Sequence, residues 1–206
     1  MLTKEQLAKV YMHRSVDALD QYMVKLNAAM TEFGINTPLR QAAFLAQLGH
    51  ESGELRYFEE LATGMAYEGR VDLGNTQPGD GMRYKGRGPI QLTGRTNYIK
   101  AGQALGIDLV NNPALAATIG IGCRTAGWFW KTHGLNELAD KKEFDAITKR
   151  INGGFNGKAA RDAYYKLALS VLVVPEPVKP VVPVQQPAPK PAVIVERETK
   201  EIDPKE

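Results

Sequence analysis

The chain has 206 residues, 43% hydrophobic and 24% charged, the proportions of a globular domain large enough for one core and too short for two large ones. A net charge of only +3, with no Lys/Arg run, argues against a nucleic-acid binder, which carries a basic stripe. The lone cysteine, Cys123, excludes an internal disulfide and a cysteine-rich metal site.

The N-terminus, Met-Leu-Thr-Lys-Glu-Gln, has no apolar leader, so the chain is read as made in the cytoplasm without a secretory signal. No apolar run approaches a membrane span. Thr3 with Gln6 forms a capping-box pattern that opens a first helix, whose apolar stripe is Leu7, Val10 and Tyr11. A second helix is predicted from about Val16, with Leu19, Tyr22, Met23, Leu26, Met30 and Phe33 at helical spacing and Gly34 placed to end it. Thr37-Pro38 reads as an N-cap followed by proline at the first helical position. That third helix runs through Phe44 and Leu48 to Glu51 and stops near Gly53.

Between Leu55 and Arg87 the helical pattern lapses under repeated glycines, and a small hairpin or two with long loops is expected. Loops of that length in a compact domain usually serve function. Helices resume at 95–105, closed by Gly106. Asn112-Pro113 is read as the cap and start of a helix reaching Thr132, with Trp128 and Trp130 as core residues and Cys123 as a buried small hydrophobe. Further helices are predicted over 137–151 and 158–172. From there the composition changes: eight of the twelve prolines lie at or beyond Pro175. A domain at 1–172 and an extended Pro-rich tail at 173–206 are therefore expected. From Leu172 on there are five basic and six acidic residues, which leaves +4 on the rest.

Glu51 continues the stripe of Phe44 and Leu48, so it is expected to be partly desolvated, which suits a general acid. An internal partner arginine or lysine is the structural alternative. Glu60 follows nine residues later. In an unbroken helix it would lie on the opposite face and about 13 Å along the axis, so the helix must break, at Ser52-Gly53, before the two carboxylates can share a cleft. Without that, Glu60 is a solvated strand residue. The stretch Gly86-Arg87-Gly88-Pro89-Ile90-Gln91-Leu92-Thr93 lacks the third glycine of a dinucleotide fingerprint; with Asn97 it offers neutral hydrogen-bonding groups suited to sugar hydroxyls and acetamides. Asp72 to Asp80 imitates a calcium loop, but Arg83 stands where the loop needs glutamate, so no metal is expected. His50 is read as a supporting or core residue rather than a proton carrier, and His13 and His133 are scattered.

His50-Glu51-Ser52-Gly53, Glu60, Tyr67-Glu68-Gly69-Arg70, the loop from Gly74 to Gly81, the Gly86 stretch and Ile151-Asn152-Gly153-Gly154 stand in an order that resembles family 19 glycoside hydrolases. The likeness covers about residues 35–165 and is to the chitinase-like branch used as phage and bacterial endolysins. It implies a mainly α, lysozyme-like fold with a small hairpin or loop region beside a substrate cleft. It also implies inverting hydrolysis of β-1,4 bonds, with Glu51 as general acid, Glu60 as general base and Thr93 holding the attacking water. Gln91, Asn97 and Asn152 match sugar-binding positions, and no cofactor is implied. Relatives mostly carry a second glycine where this chain has Glu54, and plant members are longer, disulfide-bonded and secreted. That difference moves the expected substrate from chitin to peptidoglycan, cut by a monomer that reaches the wall after release. A non-catalytic sugar-binding module is the alternative outside the enzymes, against which both carboxylates stand.

Overall fold

The computed structural model describes residues 1–172; the tail expected at 173–206 lies outside the described residues. The order is α1 (Lys4–Val10), α2 (Val16–Glu32), α3 (Pro38–Glu51), α4 (Asp80–Arg83), α5 (Arg95–Leu105), α6 (Ile119–Thr132), α7 (Leu135–Asp140), α8 (Phe144–Asn152) and α9 (Lys158–Leu172). Capping chemistry sets the first boundaries. Thr3 and Gln6 exchange side-chain and backbone bonds in a full capping box, and Thr37 accepts from the Arg40 N–H with Pro38 in the first turn.

Helix α3 is the central helix of the described residues. Residues 42–49 are buried without interruption, the mark of a helix covered on every side rather than laid on a surface. Its main neighbour is α9, which also receives α1, while α2 packs on α6. Phe44 meets Trp130 edge-on at 5.2 Å between ring centroids, and the Trp130 indole N–H donates to Asn136, whose amide donates to the Phe33 carbonyl. Trp128 and Cys123 are buried as expected, and burial pushes the Cys123 thiol up to about 12.

Three expected elements take a different form. The hairpin region between α3 and α5 contains no strand among the described residues, only the antiparallel bridges Glu59–Arg87 and Arg87–Leu92. Short 3₁₀ turns at Met65–Tyr67 and Val71–Leu73 and the four-residue α4 fill the rest. Asn112-Pro113 opens only a 3₁₀ stretch, Pro113–Ala117; the chain is extended at Thr118 and α6 begins at Ile119. A β-carbon on Gly88 would lie 3.1 Å from the Ala116 carbonyl and 3.2 Å from Gly122, so this stretch seats backbone against backbone, which a continued helix would not permit. The helix expected over 137–151 is two, because Lys142 adopts φ +61° and closes α7 in the left-handed conformation that glycine usually supplies.

Where α2 crosses α6, the Phe33 ring lies against Gly127: a β-carbon there would fall 2.3 Å from the ring. Gly127→Ala is therefore expected to destabilise the domain by about 1–3 kcal/mol through overpacking. Urea unfolding should show a lower midpoint at unchanged slope.

Candidate active site

Glu51 is the last residue of α3, and its carboxylate is 18% exposed. It is not left unpaired. The Arg161 guanidinium, 1% exposed on α9, donates to Glu51 Oε1 at 2.5 Å. The same guanidinium donates to Gln47 Oε1, one turn back along α3, and to the Asn156 carbonyl. Gln47 in turn donates to Thr148 on α8 at 2.9 Å. One buried arginine thus sets α3, α8 and α9 against one another at the catalytic candidate. Oε2 of Glu51 carries no hydrogen bond among the described residues. His50 is half-buried, with its ring so close to Gly157 that a β-carbon there would lie 2.1 Å away. Burial first, then the Arg161 charge, lower the His50 pKa below its usual value, against a weaker pull from Glu51. Its ring packs on Gly157, the core-contact role among those expected for it.

Glu60 lies in the loop wall. Its Oε1 accepts from Tyr67 Oη at 3.0 Å and its Oε2 from the Gly86 N–H at 3.1 Å. Its backbone is pinned by the Glu60 N–H to Gly86 carbonyl bond (2.9 Å) and by Lys85 Nζ to its carbonyl (3.1 Å). The neighbouring Glu59 points the other way, accepting from Arg87 at 3.1 Å. Arg87 is buried, and also donates to the Arg83 carbonyl and Tyr98 Oη. A methyl group placed on Gly86 would lie 2.7 Å from Gln91 Oε1, 3.3 Å from Glu60 Oε2 and 3.4 Å from Thr93 Oγ1. Three side-chain oxygens therefore converge on one small volume over a residue that has no side chain. Gln91 reaches that volume at a cost, with φ +56° in the left-handed region, where a non-glycine residue is strained by about 1–3 kcal/mol. Its N–H and its amide both donate to the Gly88 carbonyl, and Thr93 Oγ1 donates to the Gln91 carbonyl at 2.8 Å.

Asn97 stands behind this loop and donates to the Thr93 carbonyl at 2.8 Å. Asn152 closes α8, one turn beyond Thr148 on the same face. Its Oδ1 is buried without a hydrogen-bond partner among the described residues. The predicted residues thus form two groups: Glu60, Gln91, Thr93 and Asn97 in the wall, and Glu51 with Arg161 and the end of α8. No hydrogen bond joins the two groups among the described residues. No cluster able to hold a metal appears among the described residues.

Two contributors were not among the expected site residues. Arg161 had a signal: it occupies the stripe it shares with Ala168 and Leu172, all buried, and an arginine on an apolar face demands an internal anion. Tyr67 had none beyond its place in a motif. Asn75, fully buried, holds that tyrosine by donating to its carbonyl, and also accepts from the Arg95 N–H, capping α5 from a distant loop.

A family model described as chitinase class I matches residues 31–161, ending on Arg161. A glycosyl hydrolase family 19 domain-containing protein of Haemophilus influenzae is 30% identical, over 81% of this chain and 94% of its own length. An Arabidopsis thaliana endochitinase is 43% identical over 55% of this chain, which spans only 39% of that protein. The crystal structure of a bacterial family 19 chitinase superposes with a TM-score of 0.68 at 27% identity, covering 84% of this chain and 95% of the other.

Filling the space over Gly86 tests the convergence directly. Gly86→Ala adds one methyl group whose nearest contact is the movable end of Gln91, and Gly86 does not need a left-handed backbone. The variant is expected to fold with a thermal midpoint close to wild type while losing most of its hydrolytic rate. Tyr67→Phe, which strips one of two donors from Glu60, should lower turnover by about 10-fold or more at unchanged fold, on the scale of a misplaced general base.

Proposed function

The chain belongs to the chitinase class I family of glycoside hydrolases, and on that footing we propose that it cleaves β-1,4 bonds of an N-acetylated glycan by inversion between Glu51 and Glu60. The observation that carries this reading is the convergence of Glu60, Gln91 and Thr93 on the space above Gly86. A water there donates one hydrogen to the Gln91 amide oxygen and gives its other proton to Glu60 as it attacks the anomeric carbon, while the Thr93 hydroxyl, turned from the Gln91 carbonyl, donates to that water. Arg161 fixes Oε1 of Glu51, so Oε2 is the atom that holds a proton and delivers it to the departing glycosidic oxygen. Attack opposite the leaving group inverts the anomeric centre in one displacement. The orphaned Asn152 Oδ1 is an acceptor that awaits a donor, and an acetamide N–H or a sugar hydroxyl supplies one.

The substrate placed first is the glycan strand of peptidoglycan, with the protein acting as an endolysin-type monomer on the wall after release. Support comes from the bacterial relative matched along nearly its whole length and from the +4 balance before the tail, which favours an anionic polymer. Chitin is the second reading, favoured by the plant endochitinases and the bacterial chitinase that this chain is similar to. Incubation with purified sacculi and with colloidal chitin, followed by mass spectrometry of the reducing ends, separates the two and names the bond cut.

Glu51→Gln keeps an oxygen for Arg161 but has no proton to give, so turnover should fall by roughly 10²–10⁴-fold or more while polymer binding persists. Near wild-type lysis by this variant would remove Glu51 from the mechanism. Proton NMR on a cleaved oligosaccharide should show the α-anomer first from a β-linked substrate. Initial β-product would mean retention and would strip Glu60 of its role as base.

A further inference from the structure

Directly after Glu51 the chain enters a turn of unusual backbone. Gly53, Glu54 and Leu55 have φ +56°, +61° and +62°, three left-handed residues in succession of which only the first is glycine. A glycine in the place of Glu54 would adopt this φ without strain. The Glu54 side chain is nevertheless 3% exposed and fully engaged. Oε1 accepts from His13 Nδ1 at 2.7 Å and from Tyr164 Oη at 2.8 Å, and Oε2 accepts from the His13 N–H at 3.0 Å. Arg14 donates to the Glu54 carbonyl at 3.0 Å. Inside the turn, Ser52 Oγ donates to the Leu48 carbonyl and accepts from the Leu55 N–H.

Tyr164 stands three residues beyond Arg161 on α9, one turn along the same face. Its ring packs edge-on to Tyr11 at 6.1 Å and lies over Gly49 of α3. Burial first, then the hydrogen bond to Glu54, push the Tyr164 hydroxyl up to about 12, so it stays a donor at working pH. The end of α3 thus presents two carboxylates three residues apart, and α9 meets them with Arg161 and Tyr164, also three apart. The Tyr164–Glu54 bond adds a second polar anchor, one turn along α9 from the Arg161 anchor, to the register in which α9 packs on α3.

We propose that Glu54 is a positioning residue for the reaction: its buried carboxylate, held by His13 and Tyr164, fixes the left-handed turn that ends α3 and thereby the register in which Arg161 orients Glu51. The inference rests on Glu51 being the general acid. A glycine would serve the turn alone, and an apolar side chain would serve burial alone. A carboxylate in that strained place binds two segments at once, the His13 turn and α9, to the end of α3. The group acts through Glu51 and touches no substrate.

The test uses the full chain with Tyr164→Phe, which removes one hydroxyl and keeps the ring packing, and Glu54→Gln, which keeps the size and the strained backbone. Both kcat and KM are measured on a soluble oligosaccharide that the wild type cleaves, beside the thermal midpoint. The expected result is a kcat lower by roughly 10–100-fold with KM within about 2-fold, the mark of a misplaced catalytic group. In a Glu51→Gln background the same changes should subtract nothing further from the residual rate, since the residue they disturb no longer supplies a proton. Unchanged kcat in folded Tyr164→Phe, or equal losses with and without Glu51, would overturn the proposal. Should Glu54→Gln fail to fold, Tyr164→Phe alone decides. Full activity of Glu51→Gln itself would instead sink the catalytic reading, so the two failures are told apart.

Discussion

The contact between Arg161 and Glu51 is the constraint on which the rest of the site depends. Replacing a buried ion pair by apolar groups of the same shape is often neutral for stability, so the pair is not explained as glue. What it supplies is direction. A planar guanidinium bonded at once to Glu51, Gln47 and the Asn156 carbonyl admits few arrangements of the helices that carry them. Removing Glu51's charge leaves the Arg161 cation with only neutral acceptors, so the pair is one of the contacts that fix the register of α3 against α9. The candidate site thus takes its geometry from the same contact that helps to dock α9 on α3.

The other carboxylate is held by different means. Glu60 sits in a wall with no strand ladder among the described residues, fixed by Tyr67, the Gly86 N–H and Lys85. Those in turn lean on Arg87, Tyr98 and Asn75. Asp80, whose carboxyl the Arg95 hydrogen bond holds below the usual carboxylate range, ties the loop to α5. One side of the chemistry is thus set by helix packing around a buried cation, and the other by a mesh of side-chain to backbone bonds.

Much of this was legible in the sequence because local rules coincided with the fold. Thr3 with Gln6 and Thr37 with Pro38 are capping patterns that need no tertiary information. The stripe from Phe44 to Glu51 placed a half-buried carboxylate at the end of α3, where the structure has it, and the break expected near Gly53 is present as well. The failures share a cause. Pro113 was overruled by the approach of Ala116 to Gly88 and Gly122, and Lys142 closes α7 in a conformation that only glycine announces. Arg161, more than a hundred residues from its partner, was legible only as an anomaly on an apolar face. The bonds of Glu54 to His13 and Tyr164 span segments that no motif connects.

That the wall between α3 and α5 has no strand ladder among the described residues bears on how the domain can change over generations. In a paired sheet, inserting one residue turns every later side chain to the wrong face. Here each anchoring bond closes a local circuit, and lengthening a loop between anchors costs little because closure entropy grows only slowly with loop length. Such a wall can gain or lose segments while Glu60 stays where it is. A wall of this kind tolerates differences in length between relatives, and this chain spans little more than a third of the plant endochitinases that it matches.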